Sequence, residues 1–511
     1  MRTQILRLLL FVLAASWRLS ASAQPGTPLW TNYYRGNAAG FDEPLRLAVD
    51  ADRNVYVAGM SSVPGGSWEF AMIAYSPTGM SLWTNFNNQI GDTQFYAMGL
   101  AADAGYIYAA GYSGGPNASS FDYTVIAFST AGESLWTNRY DGAAHATDWP
   151  SDIAADTDNG NLYVTGSSFF TDTGDDFLTI AYSSGGSPLW TNRFGNDDYD
   201  LPVPDQPSAL AVAADGTVFV TGRSGESCAT LAYAPNGTLL WTNFFNTGEY
   251  SVGGSLSVDA DGNVYVAAAT HNSEHAYDFA ILAYSRTGTP LWTNFYNGPD
   301  NSDDLPGQIA VDSFGHVYVS GGSTAEPGVS SYVTLAYSTA GMCLWTNIYQ
   351  GTNSSFNESG ALALDRIGNV YVTGSSSDGN ELDIATIAYS ASGQPLWTNR
   401  FNTPNLYDAN ASSIKVDSHG DVIVLGRAVF DIDGNTGFVT IKYAGQPQQP
   451  LPIPLQIHQT GSVVQLTWND PAFHLQSSAF VTGIFTNISN AASPYSCPIS
   501  GPQQFFRLHH E

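Results

Sequence analysis

The stretch THNSEHAYD gathers His271, Glu274, His275 and Asp278 into eight residues. Two imidazoles beside two carboxylates are a donor set for zinc or another divalent ion, provided the fold brings them to one point. On a loop between strands this spacing does not fix the geometry as a helix would, and a solvated polar turn is the competing reading. The pentapeptide GYSGG, Gly111 to Gly115, satisfies the G-x-S-x-G pattern of a hydrolase nucleophile, with Ser113 at its centre. That pattern works where a strand turns sharply into a helix. Serines recur at matching places as Ser61, Ser167, Ser224, Ser323 and Ser375, which marks a turn-forming position, and no catalytic residue is expected. The turns DADRN from Asp50, DTDNGN from Asp156 and DADGN from Asp259 collect the hard oxygen ligands that calcium takes. They lack the EF-hand spacing and its distal glutamate, and a hairpin turn wants Asp, Gly and Asn for backbone reasons. Calcium at these turns is the one cofactor kept open.

A more systematic polar feature is a set of acids spaced along the chain: Asp42, Asp92, Asp148, Asp200, Glu249, Asp303, Glu358 and Asp408. Carboxylates spread round a closed ring would sum their fields toward its axis and favour a metal ion, an amine or a basic peptide over an anion. The alternative is a solvated acidic rim in which Asp makes local turns.

Such a ring requires a repeat, and the chain has one. The word LWTN begins at residues 29, 82, 135, 189, 240, 291, 344 and 396, a mean spacing of about 52 residues. A second word keeps the period: NVYVAG at 54, YIYAAG at 106, NLYVTG at 161, TVFVTG at 217, NVYVAA at 263, HVYVSG at 316, NVYVTG at 369 and DVIVLG at 421. Each unit holds four runs of strand length, in the fifth GSLSVD, NVYVAA, DFAILAYS and PLWTNFY, separated by Gly, Asp, Asn or Pro. The period and the four strands predict an all-β, eight-bladed β-propeller, whose blades bury their faces only by stacking. The last unit supplies no LWTN after FVTIKYA, and the early PLWTNYY at 28–34 fits the gap, so an N-terminal strand should close the ring and hide two edges. Trp30, Trp83, Trp136, Trp190, Trp241, Trp292, Trp345 and Trp397 are read as structural wedges between twisted sheets.

These words resemble the bacterial β-propeller repeat family known for its seven-bladed members. The resemblance rests on D-x-x-G-N-V-Y-V-x-G followed by D-F-x-T-I-A-Y-S-x-x-G-x-x-L-W-T-N and covers residues 28–444. It implies a propeller, here with eight units, in an exported or surface protein. The segment AYSPTGMSLW, Ala74 to Trp83, is similar to the tryptophan-docking motif of eight-bladed quinoprotein dehydrogenases, with a turn one residue shorter and Ser76 in place of the usual Asp. That likeness implies the docking mechanics, while the adjacent cysteine pair found near the cofactor in such enzymes has no counterpart among Cys228, Cys343 and Cys497.

Arg2 and Arg7, the apolar run Leu8 to Ala15 and Ala21-Ser22-Ala23 form a secretory signal pattern, too short to span a bilayer. The expected organisation is a signal peptide at 1–23, the propeller at 24–444, a Pro/Gln-rich linker at 445–454 and a small β-sandwich-like module at 455–511, whose tail SPYSCPISGPQQFFRLHH is similar to modules on secreted bacterial proteins. Whole, the chain carries a formal charge of −29; without its first 23 residues, 13 basic against 45 acidic residues leave −32. Such a surface repels phosphate, which excludes nucleic acid as a partner. The expectation is an exported binding or scaffold protein, secreted, periplasmic or at the cell surface and monomeric, whose partner is a protein, a glycan or a cationic ligand. A quinoprotein-like oxidoreductase or a carbohydrate-active propeller enzyme is the alternative.

Overall fold

The computed structural model describes residues 23–510 except 37–39, 63–67, 87–93, 104, 115–119, 172, 196–203, 273–274, 300, 327–328, 352–355, 378, 380, 403–407, 448–455, 461–462, 468–472, 479–485, 489–490 and 499–504. Among the described residues every regular element is a strand, and no helix is long and apolar enough to cross a membrane. Blade 1 comprises Asp42–Val49, Val55–Ser62, Trp68–Tyr75 and Ser81–Phe86, paired antiparallel in that order. Blades 2 to 7 repeat this from Gln94, Asp148, Gln206, Tyr250, Asp304 and Asn357. Blade 8 takes Ala409–Val416, Val422–Val429 and Thr436–Tyr443 from the end of the ring and Pro28–Tyr34 from its start. The first strands of successive blades lie against one another all the way round, blade 8 against blade 1 included, so the ring is closed.

The second strands read as unbroken apolar words because they are covered on both faces. In Val55–Ser62 every residue up to Ser61 is buried. Between blades 1 and 2, Tyr56, Phe70 and Met72 pack against Phe95, Ile107, Ile126 and Phe128, and each junction repeats this layer. Every first strand carries a bulge, at Pro44/Arg46 in blade 1 and Ser359/Ala361 in blade 7, for example. A bulge tolerates proline because one residue leaves the ladder. It also explains the glycine ending the second word: a Cβ on Gly59, Gly166 or Gly374 would stand 2.2, 2.1 or 2.0 Å from a carbonyl oxygen of the bulged strand. Blade 5 has Ala268 there instead, facing Gly253 and Gly254 on the bulged strand.

LWTN joins blade to blade. The Trp83 indole donates to the Thr130 carbonyl at 2.8 Å and the Asn85 amide to the Gly132 carbonyl at 2.8 Å, both in the next blade's outer hairpin. The pair recurs as Trp241 to Arg286 and Asn243 to Gly288, and as Trp345 to Ala391 and Asn347 to Gly393. Gly132, at φ +84°, lies flat on the Trp83 ring, where a Cβ would meet the indole at 2.7 Å. All eight tryptophans are half-buried. At the last junction Asn399 reaches Gly26 from the N-terminal segment, while the Trp397 indole N–H has no acceptor among the described residues.

Beyond the ring, Gln456–Thr460, Val463–Thr467 and Tyr495–Pro498 form one three-stranded sheet, and Thr486–Asn487, Phe473–Ser478 and Phe505–His510 another. Leu466 of the first and Leu475 of the second are buried in one small core, as expected of a sandwich-like module.

Candidate functional site

The eight acids do not make one ring of equivalent carboxylates. Strand register puts Asp42, Asp148, Asp304 and Asn357 at one position, opposite Ser61, Ser168, Ser323 and Ser376, with Asp205 in the corresponding place of blade 4. Phe95, Ser251 and Ala409 stand there in blades 2, 5 and 8. These carboxylates are buried and hold loops: Asp42 accepts from the Gly36 amide at 2.7 Å and the Ser61 hydroxyl at 2.7 Å, and Asp148 from the Gly142 amide at 2.9 Å. Asp303 and Asp408 lie one residue earlier in register and accept the Tyr277 and Leu382 amides of the preceding blades, at 3.2 and 2.9 Å. Glu358 is exposed one residue later. Glu249 is exposed and pairs with the His271 Nδ1 at 3.1 Å. Asp92 and Asp200 lie outside the described residues. The same register corrects the serine series, since Ser168 and Ser376, rather than Ser167 and Ser375, match Ser61 and Ser113.

Of the histidine quartet, His271 and Asp278 do not converge. Tyr277 opposes His271 and Asp278 opposes Thr270 in the blade 5 hairpin, so alternation sends His271 and Asp278 to opposite faces. Asp278 is buried and the His271 ring rests on Tyr277 at 5.0 Å, while Glu274 and the side chain of His275 lie outside the described residues. Ser113 is fully buried inside a strand pair, bonded to the Thr124 hydroxyl at 2.6 Å and accepting from Arg139 at 2.7 Å. Among the described residues no helix follows this strand.

At the Asp-rich turns the carboxylates already serve the hairpin. Asp50 accepts from the Asn54 amide, the Asn54 side chain and the Tyr56 hydroxyl at 2.8, 2.9 and 2.8 Å. Asp259 with Asn263 and Tyr265, and Asp365 with Asn369 and Tyr371, repeat the set. Blade 4 loses both partners together, with Ala213 and Phe219 in place of the acid and the tyrosine. In blades 1, 5, 6 and 7 the acid is bonded to the tyrosine, and calcium would have to displace donors already in place.

Among the described residues, one junction brings three acids together. Asp122, Asp141 and Asp148, from blades 2 and 3, place carboxylate oxygens within 4.8 Å of one another. Asp122 starts the third strand of blade 2, Asp141 follows its outer strand and Asp148 starts blade 3. Arg139 lies 3.7 Å from Asp122 and His145 2.7 Å from Asp141. Burial first, then Asp141 and Asp148, push the Asp122 carboxyl up to about 6, against a smaller opposing pull from His145. Burial likewise raises Asp148, and the bond to Asp141 raises the His145 imidazole. The same strand ends carry an aromatic cluster, with Trp149 turned to the face opposite Asp148: Tyr96 stacks on Tyr112 at 4.8 Å, Phe121 meets Tyr112 edge-on at 5.3 Å, and Trp149 meets Tyr112 at 4.4 Å. The Asp148 amide donates to the Phe121 carbonyl at 2.7 Å, which ties acids and rings to the same strand ends. Trp149 is 43% exposed. The sequence reading held Asp148 alone. Asp122 and Asp141 were visible only as members of the D-F/Y and LWTNR words: an Arg on the outer strand accompanies an Asp at the third-strand start in blades 2, 3 and 7, where Arg139, Arg193 and Arg400 pair with Asp122, Asp176 and Asp383.

The beta-propeller repeat family SBBP matches residues 139–169, from the outer strand of blade 2 through the second strand of blade 3. No curated protein matches. Among solved structures the chain is similar to Sqt1 from Chaetomium thermophilum, at 10% identity and TM-score 0.52 over 81% of this chain and 98% of that one. It is also similar to the β-propeller domain of the Trilobed protease from Pyrococcus furiosus, at 9% identity and TM-score 0.41 over 70% and 95%. A polysaccharide lyase matches at 11% identity and TM-score 0.41 over 68% and 90%. The closed ring of four-stranded sheets makes this chain an eight-bladed β-propeller, and its residues 139–169 match the beta-propeller repeat.

Proposed function

We propose that the protein is an exported binding propeller whose blade 2 to blade 3 face takes a cationic group, an ammonium or guanidinium presented by a small amine or a basic peptide. The observation that carries this reading is the carboxylate trio of Asp122, Asp141 and Asp148, at strand ends that also carry the Tyr96, Tyr112, Phe121 and Trp149 cluster with one ring exposed. A desolvated carboxylate that holds its proton up to about pH 6 gains most from a cation that neutralises its neighbours. The overall charge of −29 draws cations to the surface and speeds their arrival. Export rests on the signal pattern of the first 23 residues, and the N-terminus of secreted material is then Gln24. The test is calorimetric titration with tetramethylammonium and with an oligo-arginine peptide, on the parent, Asp141→Asn and Trp149→Ala. Saturable binding that weakens in both variants and falls with salt is expected. Binding indifferent to both changes would refute the site.

A further inference from the structure

A separate constellation lies on the axis of the ring, where the first strands converge. Arg46 of blade 1 and Asp152 of blade 3 occupy the same register position, the first paired residue after the bulge. Lys415 of blade 8 lies two residues beyond that position, on the same side of its strand. Arg46 and Lys415 both act on Asp152, and Arg46 and Asp152 both act on Lys415, so the shared axial register brings the three within electrostatic reach of one another. The other blades put Gly99, Ala209, Ser255, Gln308, Ala361 and Ser413 at or beside the position of Arg46. Two cations and one carboxylate therefore sit at the centre of a protein whose formal charge is −29.

The carboxylate does not satisfy the cations. Asp152 accepts the Ile153 and Leu210 amides, each at 2.9 Å. Arg46 has one bond, to its neighbour's Leu45 carbonyl at 3.0 Å, and Lys415 has no hydrogen-bond or ion-pair partner among the described residues. The register adds a further donor. Asp152 accepts the Leu210 amide of the next blade, Ser255 the Ile309 amide and Gln308 the Leu362 amide. Arg46 stands where the Asp152 and Ser255 acceptors stand, and a guanidinium cannot accept. Lys415 is exposed to solvent, yet its surroundings desolvate it enough to lower its pKa.

We infer that the axis is a binding site for a small oxyanion, of the carboxylate, sulfate or phosphate type, held between the Arg46 guanidinium and the Lys415 ammonium. The planar fork of arginine matches two oxygens of such a group, and lysine adds a point charge. Asp152, held by two backbone amides, limits the affinity and leaves room for release. This site is independent of the acidic face and takes the opposite charge.

The sequence offers a clean probe, because Lys415 and Lys442 are its only lysines. Lys442 is buried in an ion pair and serves as the internal control. After reductive methylation with ¹³C-formaldehyde, the Lys415 dimethylamine signal is followed by NMR during titration with sulfate at constant ionic strength. A saturable shift of Lys415 alone is expected, absent in Arg46→Gln. Asp152→Asn, which keeps an acceptor for Leu210, should bind sulfate roughly tenfold more tightly by removing a like charge. A Lys415 signal that does not move, or that drifts without saturating, would overturn the site. So would an Asp152→Asn protein that binds no better than the parent, which keeps the test decisive even if Arg46→Gln fails to fold.

Discussion

Single residues here carry paired duties that a one-letter reading blurs. In LWTN the Trp supplies a flat surface for a left-handed glycine and an N–H for a carbonyl, and the Asn two residues on takes that glycine's own carbonyl. Asp122 shows the cost of gathering acids. Its carboxyl holds a proton up to about pH 6 when folded, against an ordinary value of 3.8. The folded state therefore binds this proton more tightly than the unfolded one, and the contribution is fully favourable below about 3.8 and lost as pH rises through 6. Asp122→Asn should flatten the stability profile between those values and raise stability at neutral pH by about 1 kcal/mol, a figure discounted for partial solvent screening. Thermal melts of both proteins at pH 4.5 and 7 (about the ends of the titration) check this. Identical slopes would mean that Asp122 is not desolvated.

At the scale of elements, the hairpin of first and second strands is the decisive unit. Its bulge throws carbonyls toward the partner strand, and glycine is what leaves them room. Gly374→Ala would put a methyl group 2.0 Å from the Glu358 carbonyl oxygen. The strand must shift, at a cost of about 2–3 kcal/mol, the range for forcing extra volume into a packed site. Ala268→Gly in blade 5, where the bulge is already Gly253-Gly254, should cost under about 1 kcal/mol. Urea unfolding distinguishes the two, and equal losses would show that the bulge carbonyl is not the constraint.

At the scale of the molecule, the closure between blades 8 and 1 departs from the repeat. Asp417 has the turn position of Asp50, but Ile423 replaces the tyrosine that would donate to it. Lys442 takes over: its ammonium, 1% exposed, lies 2.6 Å from Asp417 and 3.3 Å from Asp421, and it stands opposite Trp30 of the closing strand. It also reaches the Pro77 carbonyl of blade 1, which accepts from Trp30. The other blades have alanine at this place, Ala74 and Ala388 among them. Lys442→Ala restores the repeat residue but strands a buried carboxylate, and a loss of about 3–5 kcal/mol is expected. Adding Asp417→Asn should recover part of it. A single variant as stable as the parent would show that the pair is not what fixes the seam.

The repeat words determined the fold, because a blade cannot bury two faces without neighbours and eight copies of LWTN number those neighbours. The missing last copy and the orphan first one determined the closure, since an unpaired outer edge has one complementary strand in the chain. Nothing in the sequence alone said which acids meet. Asp42 and Glu249 look alike along the chain, yet a shift of one or two residues in register buries the first under loop amides and exposes the second beside His271. The joining of Asp122 and Asp141 to Asp148, and of Arg46 and Lys415 to Asp152, depends on strands dozens to hundreds of residues apart meeting at one end or at the axis of the ring. Those meetings are set by blade twist and bulge geometry, which no local pattern records.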